Sequence, residues 1–152
     1  MKNALAKLSP TPEILLFDEP TATAQQAAER LGCELGQIVK SMAFIIDGSP
    51  ILVLISGSQR ASEKKLAAYF NINRKRVKIA TPQQCIEIYG YAPGSVPPVG
   101  LRTPNIPVYI DDTLAQYEMV YAAGGTDNSL FGIPFKQLQQ LTNGTIIDVK
   151  RD

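Results

Sequence analysis

The chain has 152 residues, 45% of them hydrophobic and 19% charged, with a net charge of +1. That suits a folded domain with its own core, and it excludes any global attraction to nucleic acid, so a polyanion would have to meet a local basic patch. There is no histidine, and the two cysteines, Cys33 and Cys85, form no CxxC pair, which excludes a Ser–His–Asp triad, a Cys–His dyad and the usual zinc sites.

Residues 1–10 carry Lys2 and Lys7 but no apolar core of signal-peptide length. The longest apolar run, around 51–55, is strand-sized. No membrane partner and a cytoplasmic location are the expectation. After a breaker at Pro10 and Pro12, residues 13–17 (EILLF) read as a strand and 18–21 as a turn. Residues 23–31 read as a helix. Thr23 caps it, Gln26 completes a capping box, Ala27, Ala28 and Leu31 form a small apolar face, and Gly32 stops it. Cys33 and Cys85 each read as a small core residue.

One helical turn over 35–39 leads into a strand over 40–46, a turn over 47–50 and a second strand over 51–56. A helix over 62–70 follows, capped by Ser62 with Leu66, Ala67 and Phe70 on one face. Residues 77–79 form a short strand, and 81–89 a helix with Pro82 in its first turn. Strands are expected over 108–111, 119–122, 130–133 and 145–149, and a helix over 134–141 ends near Asn143 and Gly144. No repeat or long linker divides the chain. The fold expected is one α+β domain over 1–152, with a mixed sheet that curves strongly towards a barrel and helices around it.

Four features could carry chemistry. The loop from Gly90 to Arg102 holds three glycines and three prolines and almost no charge. Proline stiffens it and glycine permits sharp turns, so it is not a flexible linker. Pro93, Pro97 and Pro98 carry no N–H, which leaves the amides of Gly94, Ser95, Val96, Val99 and Gly100 as a cradle for a carbonyl oxygen or a phosphate. The same loop also reads as a structural connector. Lys40 opens an apolar strand, where a lysine either meets an anion or snorkels to solvent. Arg74, Lys75, Arg76 and Lys78, with Lys64 and Lys65 one helix earlier, read as a phosphate-backbone contact or as a solvated corner. Gly124, Gly125 and Asn128 lie in a second glycine loop that is either a ligand contact or a hairpin tip; it is not a Walker loop, because GxxxxGK[ST] is absent.

Three segments together resemble the YbaK/prolyl-tRNA-synthetase-associated editing domain family. They are 37–41 (QIVKS), 90–100 (GYAPGSVPPVG) and 120–125 (VYAAGG), with Asn128 just beyond. The stretch 21–32 (TATAQQAAERLG) is similar to the family's first helix, and the resemblance runs in order over nearly the whole chain. It implies a mixed α/β domain around a strongly curved sheet that hydrolyses wrongly charged tRNA. The length is similar to that of free-standing members.

Lys40 matches the family's essential lysine near the 3′-terminal nucleotide of the tRNA. Gly94, Ser95, Val96 and Pro98 fall in its GxxxP loop, which holds the aminoacyl end by backbone contacts. Gly100 ends the same segment. Ser41 matches a small hydroxyl residue beside the lysine, and Asn128 a polar position after Gly124 and Gly125. Ala123 and Leu130 depart from the serine and aspartate of members that clear cysteine from tRNA(Pro). They point to a small residue such as alanine, serine or threonine.

The expected function is therefore trans-acting deacylation of mischarged tRNA, tRNA(Pro)-type substrates favoured. Lys40 with the Gly94–Pro98 loop would form the catalytic centre, Ser41, Gly100, Gly124, Gly125 and Asn128 would bind substrate, and Lys64, Lys65, Arg74 and Arg76 would bind tRNA. No cofactor or metal is expected, and an aminoacyl-tRNA synthetase is a candidate partner. The alternative is a module that binds a tRNA end, a nucleotide or a synthetase without catalysis.

Overall fold

A computed structural model describes residues 12–21 and 23–152. The segment 1–10, with its lysines and Pro10, and Ala22 in the stretch before the first helix lie outside the described residues. β1 (Ile14–Leu16) precedes α1 (Ala24–Leu31), a 3₁₀ turn (Leu35–Gln37), β2 (Ile38–Ile46) and β3 (Ser49–Ser56). Then come α2 (Glu63–Phe70), a 3₁₀ turn (Arg74–Arg76), β4 (Val77–Ile79) and α3 (Pro82–Gln84), which continues as a π turn over Cys85–Tyr89. β5 (Val108–Asp111), a 3₁₀ turn (Asp112–Gln116), β6 (Met119–Ala123), β7 (Ser129–Pro134), α4 (Phe135–Thr142) and β8 (Thr145–Ile147) complete the order.

Local chemistry explains most of these boundaries. The Thr23 hydroxyl accepts from the Gln26 amide and the Gln26 side chain returns to the Thr23 amide, so both halves of the capping box are present; Gly32 closes the helix at φ 68°. Ser62 caps α2 in the same way through the Lys65 amide. Asp47 and Gly48 both adopt positive φ, 48° and 85°, the signature of a two-residue hairpin whose twist matches its strands. The turn is therefore two residues long and β3 starts earlier than its apolar run. β2 also starts early, at Ile38, because Ile38 and Val39 pair with β6. Lys40 is its third residue, not its first.

The helix expected over 81–89 takes a different form. After one α turn the chain widens, and the Gly90 amide donates to Cys85 O, five residues back. That swings Tyr89 wholly inside, where its hydroxyl lies 2.7 Å from Ile51 O and 3.1 Å from Phe44 O. Burial pushes this phenol's pKa well above its ordinary value. Cys85 is buried beside it and Cys33 half-buried; burial is the main cause raising both thiol pKa values.

The eight strands form one mixed sheet in the order β1-β7-β6-β2-β3-β5-β8, with β4 added to β2. β2·β6, β3·β5 and β5·β8 are parallel and the other pairs antiparallel. The path is open among the described pairings, with β1 and β8 at its ends, so the closure of a barrel is not part of the described sheet. Side chains alternate across the central pair. Val39, Ala43, Leu52 and Leu54 meet Tyr89, Val96 and Val99 on one face. Phe44, Ile46, Ile51 and Val53 meet Leu66 and Ala67 of α2 on the other. α1 lays Ala27 and Ala28 on Ile38 and Leu130. Among the described residues no helix is long and apolar enough to cross a membrane.

Candidate active site

β2 has neighbours along both edges, but one edge is interrupted. The parallel ladder to β6 ends at Val39↔Ala122, and the antiparallel ladder to β4 begins at Phe44↔Ile79. Between them the Ala43 carbonyl accepts from the Ala80 amide at 2.8 Å. Residues 40–42 are left with no strand on that side. Backbone groups in a strand alternate between its two edges. Because Ala43 points to the interrupted edge, Ser41 does too.

A cavity of about 280 Å³ opens at this split. Lys40, Ser41, Gly94 and Val96 line it, so the lysine segment and the proline loop meet there although far apart in sequence. Lys40 is half-buried, and its Nζ donates to the Gln59 carbonyl. Burial lowers its pKa from the ordinary lysine value, and the nearby Arg60 charge lowers it further. Ser41 Oγ is buried and has no hydrogen-bond partner among the described residues. An orphaned buried hydroxyl costs free energy unless a ligand or water completes it.

Gly94 sits at φ 83°, a conformation natural to glycine, and Val96 is buried. The Ser95 amide donates to Ala92 O at 3.0 Å inside a turn, which takes it out of the set of free donors, and Ser95 itself is buried. The remaining wall is apolar: Ala24 and Ala27 of α1, Ile38, Val39 and Met42 of β2, Ala123 at the end of β6, and Leu130 of β7. Thr21 and Thr23 add two hydroxyl-bearing residues.

The aminoacyl-tRNA editing domain model matches residues 18–141, a span that includes every residue of this cavity. The chain belongs to the aminoacyl-tRNA editing domain family. It is similar to the uncharacterized protein YwhH of Bacillus subtilis (strain 168), 29% identical over 142 residues that cover 92% of this chain and 88% of YwhH. It is also similar to the proline–tRNA ligase of Staphylococcus epidermidis, 36% identical over 109 residues, 71% of this chain but 18% of the ligase. A solved structure of a protein proposed as a trans-editing enzyme for prolyl tRNA synthetase superposes with a TM-score of 0.91 at 36% identity, covering 99% of this chain and 94% of that one.

Other expected positions of this editing domain lie away from the cavity wall. Pro98 and Gly100 line a separate hollow beside α4. The Gly124 amide donates to Ser129 O, and a side chain there would strike Ser129 Oγ at 2.7 Å. Gly125, at φ 102°, lies against the Tyr91 ring. Asn128 donates to Phe17 O at 3.0 Å and accepts from the Thr126 hydroxyl at 2.9 Å, which ties the loop to the chain beyond β1. This second loop frames the cavity through its neighbours Ala123 and Leu130. The α1 wall escaped the sequence reading; its signal was the run of small residues around the capping box.

The basic residues do not gather on the cavity rim. Lys64 is exposed on α2, and Lys65 pairs with Asp148 at 3.1 Å and Asp152 at 2.9 Å. Arg74 lies 3.9 Å from Glu63, and Arg76 pairs with Asp47. Arg76 lines another hollow with Lys75 and Lys78, next to β4. One carboxylate cluster among the described residues is tight enough for a metal: Asp111, Asp112 and Asp148. Its groups are already engaged. Lys150 bridges Asp112 and Asp148, and Asp111 accepts from Val149 and Thr113.

Proposed function

We propose that this protein is an aminoacyl-tRNA deacylase that frees a small amino acid such as alanine, serine or threonine from mischarged tRNA, tRNA(Pro)-type substrates favoured. The observation that carries this reading is the convergence of Lys40, the orphaned Ser41 hydroxyl and the Gly94–Val96 backbone on one small, methyl-walled cavity of an editing domain. The largely apolar wall of that cavity suits a compact residue at the ester. Ala123 and Leu130 supply no polar group for a larger polar side chain.

In this reading a water oxygen attacks the ester carbonyl and the bond to the ribose oxygen breaks. The products are the free amino acid and an uncharged tRNA end. The amides of Gly94 and Val96, which have no protein acceptor among the described residues, would hold the oxygen as it becomes negative. With no histidine in the chain, the vicinal ribose hydroxyl would orient the water and return a proton to the leaving oxygen. Lys40 would fix the terminal phosphate and so the register of the ester. Residues 1–152 would act as one editing unit in the cytoplasm, with a synthetase as candidate partner. The chain spans 18% of the proline–tRNA ligase it resembles, so that enzyme's full activity is not implied.

The test is single-turnover deacylation of a panel of mischarged tRNAs. Selective release of one small residue is expected. Binding of the tRNA end without turnover on any member would replace the deacylase with a non-catalytic binding module.

A further inference from the structure

Arg30, Lys65, Arg74, Arg76 and Lys150 each pair with a carboxylate. Lys40 and Arg60 are among the described cations that make no ion pair, as are Lys64, Lys75, Lys78, Arg102, Lys136 and Arg151. Yet the two are held together. Lys40 Nζ donates to the carbonyl of Gln59, the residue before Arg60.

The backbone carrying Arg60 is fixed on both sides. The Gln59 amide turns back to Ser56 O at 3.0 Å, the Arg60 carbonyl accepts from the Arg151 amide at 2.8 Å, and Ala61 bridges to Lys150. The Arg60 residue is exposed. Its charge is near enough to disfavour the protonated form of Lys40. Two like charges within reach of each other cost folding free energy. A bound anion reverses that cost.

We infer that Lys40 and Arg60 together form a phosphate site at the mouth of the cavity, in which Arg60 is a positioning residue that grips the RNA backbone next to the ester. The assignment of the anion to an RNA phosphate rests on the deacylase reading; the pairing of the two cations does not. A guanidinium offers a flat fork of donors that matches two phosphate oxygens, and an ammonium adds a compact charge. Arg60 does not line the cavity. It therefore meets the chain beyond the ribose and leaves the reacting carbonyl to Gly94 and Val96.

The test uses three probes: a mischarged tRNA, the matching aminoacyl-adenosine with the same ester and no phosphodiester, and an uncharged CCA trinucleotide for binding. Because hydrogen bonds to charged groups are the stronger kind, Arg60→Gln is expected to raise KM on the tRNA about tenfold and to weaken CCA binding by a similar factor. Its kcat stays within about threefold of wild type, since the ester itself is held elsewhere. Hydrolysis of aminoacyl-adenosine stays unchanged, and Arg60→Lys recovers most of the KM. Equal losses on the tRNA and on aminoacyl-adenosine would make Arg60 merely structural and overturn the inference. So would an unchanged KM on the tRNA. If the wild type hydrolyses neither ester, it is the deacylase reading that falls. CCA binding then decides this inference alone, and equal affinities of wild type and Arg60→Gln overturn it.

Discussion

Lys40 illustrates how a functional residue reveals itself by what it costs. Its ammonium is half-buried, donates to the Gln59 carbonyl, and feels the charge of Arg60. Burial and the like charge both lower its pKa in the folded chain relative to the unfolded one. Between those two values the unfolded chain holds more protons, so stability rises with pH through that window. Below that window the penalty is present in full. Lys40→Met keeps the stem and removes the charge. It should abolish deacylation while melting at or above the wild-type temperature. The gap in Tm should shrink as the pH climbs through the folded pKa of Lys40. A folded Lys40→Met that deacylates within a few-fold of wild type would remove the lysine from the proposed site. A loss of activity with a collapse in Tm would mean that its role is structural.

At the scale of elements, the site depends on two loops from different parts of the chain keeping their distance. Tyr91 links them. Its hydroxyl donates to Gly100 O at 3.2 Å, which closes the proline loop on itself, and its ring packs against Gly125 of the second glycine loop. Tyr91→Phe keeps the ring and loses the hydrogen bond, a change of about 1 kcal/mol in stability at most for a partly exposed pair. The loop amides should drift, and because small displacements of reacting groups are costly, kcat should fall several-fold with KM moving less. A Tyr91→Phe enzyme with wild-type kcat would show that prolines alone hold the loop.

These loops also mark how far the sequence could be read. The capping box at Thr23 and Gln26 and the stop at Gly32 are encoded within a few residues and were legible. The sharp turns of the loop from Gly90 to Arg102 were legible for the same reason, and Gly90, Gly94 and Gly100 all take positive φ. The start of β2 was not, because it is set by pairing with β6, far along the chain. The π turn before Gly90 was equally hidden, since it exists to bring Tyr89 under the sheet. The engagement of Asn128 with Phe17 joins opposite ends of the chain, and no local pattern announces it.

On the scale of the whole molecule, the carboxyl-terminal tail fastens the site loop to the sheet. β8 is shorter than its apolar pattern, ending at Ile147, because Val149 leaves the sheet to be buried elsewhere. The fastening is Asp111, fully buried at the end of β5. One of its oxygens accepts from the Val149 amide at 2.9 Å, and the other from the Thr113 amide at 3.1 Å and from the Thr113 hydroxyl. The tail then runs along the start of α2. Val149 O accepts from the Ser62 amide at 2.6 Å, and the Arg151 amide donates to Arg60 O. Asp111→Ala would strand the buried Val149 amide and release the half-exposed Thr113 amide, a loss of about 1–3 kcal/mol at the usual cost of a buried unpaired donor. Asp111→Asn keeps an acceptor and should lose less. Hydrogen exchange at the Ser62 and Arg151 amides should quicken in Asp111→Ala by more than its lower global stability explains. Below the melting transition, hydrolysis of aminoacyl-adenosine should match wild type, because the cavity is built on β2, β6, β7, α1 and the proline loop. The KM for tRNA should rise, because the backbone of Arg60 has lost its support. If Ser62 and Arg151 exchange no faster than global unfolding predicts, the tail does not hold the loop, and Gln59 and Arg60 are positioned by their turn onto Ser56 alone.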